Sequence, residues 1–201
     1  MLKIRKAVMS EFEMVRDFYY SLIDATEGRE YSAGWTKDVY PDDPMLIGAI
    51  EREEFYIALL EKPESKEKYV SALGKCDFVN GGIFTSDDEE VAGVMIVNHD
   101  CNDGYAEVEF PVKAEPHEVT VIHALGVHPK FAGRGLAKEL VSEVQRMARE
   151  KGQKAIRLDV LEGNLPAEKT YVAMGFEYIK TLEMYYEDTG WTNYMLYECP
   201  L

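Results

Sequence analysis

The stretch Val127-His128-Pro129-Lys130-Phe131-Ala132-Gly133-Arg134-Gly135-Leu136-Ala137 decides how this 201-residue chain is read. The run Val119–Val127 that leads into it has the apolar, β-branched character of a buried strand, and Pro129 ends it. From Gly135 onward Leu136, Leu140, Val141, Val144 and Met147 recur at helical spacing, and Gly152 is placed to close the helix. A strand therefore runs through a glycine turn directly into an amphipathic helix. Such a junction binds anions: unpaired N–H groups of the first helical turn point toward it, the helix dipole adds about half a positive charge, and small residues let a phosphate approach the backbone. Arg134, Lys130 and Lys138 add local positive charge to a chain whose formal net charge is −15.

Gly-x-Gly before a helix also fits a tight turn that needs only positive φ. A Walker loop is excluded because no G-K-[ST] follows, and a Rossmann fingerprint fits poorly because the turn comes after a first half that looks mostly antiparallel.

Upstream of the turn, the residues around Ile4 read as a first strand, and Ser10-Glu11-Phe12-Glu13 has the form of a capping box opening a helix with Phe12, Val15, Tyr19 and Leu22 on its buried face. Asp43 and Pro44 introduce a second short helix. Two central strands follow, Phe55-Tyr56-Ile57-Ala58-Leu59-Leu60 and Val91-Ala92-Gly93-Val94-Met95-Ile96-Val97. The charged stretch 61–90 between them is too long for a hairpin turn, so additional strand or helix is expected there. Downstream, Ala155-Ile156-Arg157-Leu158-Asp159-Val160 returns as a strand, Asn164-Leu165-Pro166 starts another helix that Gly175 closes, and two strands complete the chain. The expected fold is a mixed α/β (α+β) arrangement in a single domain, residues 1–201.

Composition narrows the function classes. Hydrophobic residues make up 46% and charged residues 29%, as in a soluble globular chain, and no apolar run reaches the roughly 18 residues of a membrane span. Leu2-Lys3-Ile4-Arg5-Lys6 alternates like a strand and does not read as a signal peptide, so a cytoplasmic location is expected. Cys76, Cys101 and Cys199 form no CxxC pair, which signals neither a disulfide framework nor a metal site. The acidic balance repels nucleic acid and anionic membrane and attracts a cationic substrate such as a polyamine or a lysine side chain; solubility is the alternative reason for it.

About thirty residues beyond the glycine turn, Asn164, Ala167, Tyr171, Gly175 and Phe176 stand in the spacing N-x-x-A-x-x-x-Y-x-x-x-G-F. Together with Leu125-x-Val127-x-Pro129 before the turn, this pattern resembles the GNAT superfamily of N-acetyltransferases over Val119 to Phe176. The resemblance implies a central mixed, mostly antiparallel sheet flanked by helices, with two central strands splayed apart. It also implies transfer of an acetyl group from acetyl-CoA to a primary amine of a small molecule or peptide.

In this family the pantetheine arm pairs with the exposed edge of the strand that holds Leu125, Gly126 and Val127. The pyrophosphate turn [QR]-x-x-G-x-[GA] falls on Ala132, Gly133, Arg134, Gly135, Leu136 and Ala137, with Lys138 next to it; Ala132 departs from the family's Gln or Arg, so one side-chain contact is lost. Tyr171 matches the tyrosine that donates a proton to the departing thiolate. The residues Val121-Ile122-His123-Ala124-Leu125-Gly126-Val127-His128 also resemble the corresponding strand of arylalkylamine N-acetyltransferases, which makes His123 the candidate base; a buried core histidine is the alternative.

Strand alternation puts His123 on the same face as Leu125 and Val127. Asn164 either hydrogen-bonds the pantetheine arm or caps its own helix, and the Leu125 N–H is the expected oxyanion donor. The resemblance also places Ala167 beside the cofactor. Tyr31 and Trp35, with Asp38 and Tyr40, form an aromatic and acidic cluster where family members commonly build the acceptor site. No metal is expected. A homodimer through the C-terminal strands is compatible with exposed strand edges, and the closing segment 185–191 reaches either the acceptor cleft or a dimer partner. A non-catalytic acyl-CoA-binding module and an unrelated phosphate binder are the other readings.

Overall fold

The spacings read above resolve, in a computed structural model that describes residues 2–29, 31–61, 84–86 and 89–201, into one sheet with helices on both faces. The strands are β1 (Leu2–Lys6), β2 (Phe55–Glu61), β3 (Phe84–Ser86), β4 (Glu89–Asn98), β5 (Val119–Val127), β6 (Ala155–Leu161), β7 (Glu177–Tyr186) and β8 (Gly190–Pro200). The helices are α1 (Phe12–Thr26), α2 (Asp43–Glu51), α3 (Leu136–Glu150) and α4 (Leu165–Ala173). Seven strands run in the order β1-β2-β4-β5-β6-β8-β7, and β3 pairs with the start of β4. Every pairing is antiparallel except β5 with β6. The short strand β3 is the extra structure expected in the stretch 61–90; most of that stretch, and Cys76, lie outside the described residues.

β4 is buried on both faces from Glu90 to Ile96, as a continuous apolar run in a covered sheet should be. On one face Val15, Phe18 and Leu22 of α1 and Leu46 and Ile50 of α2 pack against Ile57, Val94 and Ile96. On the other, Leu140, Val141, Val144 and Ala148 of α3 pack against Met95, Ile122, Ile156 and Leu158. A third cluster holds Tyr105 and Phe110, from the connection before β5, against Met184, Tyr194 and Leu196.

Two local expectations are corrected. Ser10 does not cap α1: a 3-10 turn at Met9–Glu11 precedes the helix, Glu11 accepts from the Val8 N–H at 3.0 Å and from both terminal guanidinium nitrogens of Arg5, and Glu13 pairs with Arg16. The C-terminal strands do not both offer an edge, because β8 is enclosed between β6 and β7.

The pairing that positions the site is the shortest one. β5 and β6 pair only at Val119–Ala155, Thr120–Ile156 and Val121–Arg157. Both strands continue beyond that point, to Val127 and Leu161, so they splay and leave the β6-facing edge of residues 122–127 without a strand partner. The splay of the central strands expected from the resemblance is therefore present.

Candidate active site

Opposite β4, the register of β5 slips. Gly126 pairs with Val94 and His123 with Ile96, so Ala124 and Leu125 together oppose Met95 alone. This is a β-bulge, and Ala124 takes φ 48° to make it. The buried Tyr19 hydroxyl of α1 donates to the Ala124 carbonyl at 2.8 Å and so holds the bulge from the other side.

The bulge corrects the expected alternation. Ile122, Leu125 and Val127 belong to the α3 face, whereas His123 lies opposite Ile96 and Ala124 packs with the α1 cluster. His123 and Leu125 therefore point to opposite faces of the sheet. They meet only because the splay joins the two faces in one opening.

Two cavities converge on this opening. The larger, about 260 Å³, runs along Leu125, Gly126 and Val127, from Ala137 at the start of α3 to Asn164, Ala167 and Tyr171. The smaller, about 100 Å³, lies beyond the splay among Ile122, His123, Asp159, Tyr40, Tyr186 and Asp188. Trp35, Leu125, Asn164, Ala167 and Tyr171 border both.

At the outer end of the larger cavity the glycine turn has the geometry of an anion cradle. Gly133 and Gly135 have φ of 75° and 81°, and a methyl group on either would meet nothing within 4 Å. Ala132, Gly133, Arg134 and Gly135 are exposed, while Leu136 buries its side chain and anchors the start of α3. The first turn-closing bond of α3 is from the Glu139 N–H to the Gly135 carbonyl at 3.1 Å, so the N–H groups ahead of it face outward from the helix end. Lys138 is exposed and Arg134 lies over the Phe131 ring. Lys130 is not available as a phosphate partner: its ammonium is 2.7 Å from the buried Glu90 carboxylate.

Tyr171 is 8% exposed and stacks edge-on against Phe176 at 5.5 Å. Its hydroxyl has no hydrogen-bond partner among the described residues, and burial, aided by the Asp159 charge, pushes its pKa far above the ordinary phenol range. His123 is fixed differently. Its Nε2 lies 2.9 Å from Asn98 Oδ1 and 3.0 Å from the Asp100 carbonyl, and both are acceptors, so Nε2 carries the hydrogen and the neutral ring keeps its lone pair on Nδ1. Burial holds its pKa below the ordinary histidine value, although Asp159 acts in the opposite direction.

His128, which sequence reading places in the turn, accepts from the Lys130 N–H through Nδ1 and contacts Ser21 through Nε2. Asn164 caps α4, its Oδ1 accepting from the Ala167 N–H at 3.4 Å, and it also borders both cavities, so the two roles open to it are compatible.

The acidic and aromatic cluster of residues 31–40 divides. Trp35 and Tyr40 line the smaller cavity, Tyr31 borders only the larger one, and Asp38 accepts the Tyr20 hydroxyl away from both. The closing segment 185–191, which the sequence leaves between the acceptor cleft and a dimer partner, brings Tyr186 and Asp188 to the smaller cavity, whereas sequence reading missed Asp159 and Tyr194 as lining residues. Asp159 accepts from the hydroxyls of Tyr105 at 2.9 Å and Tyr186 at 3.0 Å, and burial pushes its carboxyl up. A carboxylate inside the apolar run 155–160 was the available signal.

A splayed parallel pair with the N-terminus of a helix after a glycine turn at the end of the adjoining channel is the arrangement that the resemblance to N-acetyltransferases implies. The Acetyltransferase (GNAT) family model matches residues 29–176, and the chain belongs to that family. Among solved structures, a GNAT-family acetyltransferase from Streptococcus agalactiae superposes with a TM-score of 0.68 at 16% identity, covering 100% of this chain and 95% of the other. Arabidopsis thaliana NAA60 in complex with acetyl-CoA superposes with a TM-score of 0.66 at 13% identity, covering 100% and 99%. These likenesses concern the fold. An uncharacterized protein of Mycobacterium leprae is 33% identical over 93 residues, which span 46% of this chain and only 25% of that relative's length.

Proposed function

We propose that this chain is an N-acetyltransferase, a single domain acting in the cytoplasm, that transfers an acetyl group from acetyl-CoA to a primary amine by direct attack. The observation that carries the reading is the meeting of the two cavities at the β5–β6 splay, with Leu125, Asn164, Ala167 and Tyr171 bordering both. The residues present fit acetyl-CoA. The open cradle from Ala132 to Lys138 suits the pyrophosphate, the unpaired β5 edge from Leu125 to Val127 suits the amide-bearing pantetheine arm, and Asn164 and Ala167 wall the channel between them. Binding of acetyl-CoA by the structural neighbour NAA60 supports the same assignment.

Acetyl-CoA supplies the acetyl group as a thioester; the chain supplies orientation and protons. Leu125, next to the bulge on the unpaired edge, offers its N–H to a developing oxyanion, where a fixed donor is worth most. His123 Nδ1 accepts the amine proton, and the resulting second ring hydrogen leaves Nε2–H bound to the same two oxygens, so the ring need not turn. Tyr171 holds a proton at its hydroxyl across the whole neutral range, available to a leaving sulfur.

Two chains could pair through β7, the outer C-terminal strand, where Tyr178 and Tyr185 are exposed. Among the described residues no helix is long and apolar enough to cross a membrane.

Thermal unfolding with and without acetyl-CoA, with ATP and NAD as controls, tests the assignment. Stabilisation confined to CoA compounds is the expected result; at 100-fold over Kd it amounts to about 2.7 kcal/mol. No shift at millimolar acetyl-CoA would remove the reading, and binding without turnover on an amine panel would leave a non-catalytic acyl-CoA-binding module.

A further inference from the structure

The smaller cavity is chemically one-sided. It is lined by two carboxylates, Asp159 and Asp188, and by His123, which is held neutral, and no lysine or arginine borders it. The carboxylates stand at different places. The charge of Asp159, on β6 in the splay, acts on His123 and Tyr171, the residues of the reacting end. Asp188, in the turn between β7 and β8, acts on Tyr40 and Tyr194, which Asp159 also reaches, but not on His123 or Tyr171.

Between them runs a continuous aromatic wall. Trp35 and Tyr40 have ring centroids 6.3 Å apart, Tyr40 and Tyr186 6.1 Å, and Tyr186 and Tyr194 4.7 Å. Trp35 begins this wall at the point where the two cavities join.

One oxygen at the far end is unexplained by the fold. Asp188 Oδ1 is buried and has no hydrogen-bond partner among the described residues. A buried carboxylate oxygen without a donor is costly unless something outside the chain supplies one. Asp159 takes two phenols on its Oδ2, whereas the Asp188 carboxylate is met only by backbone N–H groups, its own and that of Thr189, which leave Oδ1 without a donor. Burial pushes both carboxyls above their ordinary range, a strain that a bound cation would relieve.

We infer that the acceptor is a short aliphatic diamine, its reacting nitrogen beside Asp159 and His123 and its second ammonium at Asp188. The inference rests on the acetyl-transfer reading of the site and adds the substrate class. Aromatic faces and a carboxylate at the far end recognise an ammonium by cation–π attraction and a charge-assisted hydrogen bond. A cavity of about 100 Å³ with no basic side chain suits a thin methylene chain and disfavours an amine that carries its own carboxylate. In the reaction the C–S bond of the thioester breaks and a C–N bond forms at the nitrogen by Asp159. One proton leaves the neutral amine for His123, and the sulfur takes the Tyr171 proton. The products are CoA and a monoacetylated diamine that keeps one cation, at Asp188.

The test compares putrescine, butylamine and γ-aminobutyrate as acceptors with acetyl-CoA on the full chain, following CoA release and confirming the acetylated product by mass. Putrescine should exceed butylamine in kcat/KM by about tenfold to a hundredfold, the worth of a hydrogen-bonded charge, and γ-aminobutyrate should fall below both. Asp188→Asn should bring the putrescine-to-butylamine ratio close to one. A wild-type ratio already near one overturns the inference and leaves acetyl transfer intact. A ratio that persists in Asp188→Asn overturns the assignment of Asp188. If that variant does not fold, the wild-type ratio decides. Stabilisation by acetyl-CoA without acetylation of any of the three overturns the diamine class, whereas absence of stabilisation overturns the acetyltransferase reading beneath it.

Discussion

Replacing Tyr171 by Phe removes one oxygen and almost nothing else. The ring keeps its edge-on contact with Phe176 at 5.5 Å, and the lost hydroxyl has no hydrogen-bond partner among the described residues, so no protein group is orphaned. Folding stability should therefore change little, by less than about 1 kcal/mol, or about 2–4 °C in Tm for a chain of this size. Turnover should change a great deal. A positioned proton donor is worth about a hundredfold to ten-thousandfold, which is about 3–5 kcal/mol of barrier. The loss should fall on kcat, because the proton is needed only as the thiolate departs, while the Kd for acetyl-CoA measured by calorimetry should move less than about threefold. Since burial keeps this phenol protonated to well above pH 10, the wild-type rate should show no alkaline limb from Tyr171 below that pH. Equal losses in kcat and acetyl-CoA affinity would refute a proton-donating role and leave Tyr171 as a wall of the channel; an unchanged kcat would refute it more directly.

His123→Ala should lower kcat/KM most below the pKa of the amine and abolish an acidic limb that lies, because burial depresses the histidine pKa, below about pH 6.5; an unaltered pH–rate profile would remove His123 as base. The same depressed pKa makes the unfolded chain the better proton acceptor, so His123 should cost stability as pH falls through about 6.5, and denaturation of His123→Ala should show a shallower acid dependence in that window. Tyr19→Phe should orphan the Ala124 carbonyl at the bulge and cost about 1–3 kcal/mol, seen as a drop of about 2–12 °C in Tm, and acetyl-CoA affinity should fall with it as the bulge relaxes. Glu198→Ala should cost about 3–5 kcal/mol in denaturant unfolding, since Glu198 is 1% exposed and accepts from Arg157 at 2.8 Å and from the Val112 N–H at 2.9 Å; a loss below 1 kcal/mol would mean that Arg157 finds water instead.

Most of the fold was legible because its elements are periodic and punctuated. The helix at Leu136–Glu150, the strand at Val119–Val127 and the closing glycines Gly152 and Gly175 carry their signals locally, in apolar spacing and in positions that need positive φ. The junction around the glycine turn was legible for the same reason: strand, glycine turn and helix are contiguous in the chain, and their geometry follows from their order. Ser10 misled because stronger partners compete with the capping motif: Arg5 and the Val8 N–H hold Glu11 in the 3-10 turn ahead of the helix, and Arg16 takes Glu13, the acid of the motif. Lys130 misled similarly, since its partner Glu90 is forty residues away and no local pattern announces it.

The acceptor side was legible only in part, through Trp35, Tyr40 and the closing segment 185–191, because it is assembled from residues whose proximity only the sheet order creates. Asp159 lies on β6, Tyr40 before α2, Tyr105 in the connection before β5, and Tyr186, Asp188 and Tyr194 at the β7–β8 hairpin. They converge because β8 inserts between β6 and β7 and carries the hairpin tip back over the splay. The one-residue bulge at Ala124 is the sharpest case. Two-residue alternation is a reliable rule for a regular strand, and a single extra residue reverses it for everything on the far side. That reversal places Leu125 on the face of the helix start and His123 on the face of α1, so the proposed base and the proposed oxyanion donor reach a shared opening from opposite sides of the sheet. The site thus needs the bulge and the splay together: without the splay the two faces would be separate, and without the bulge His123 and Leu125 would crowd one of them.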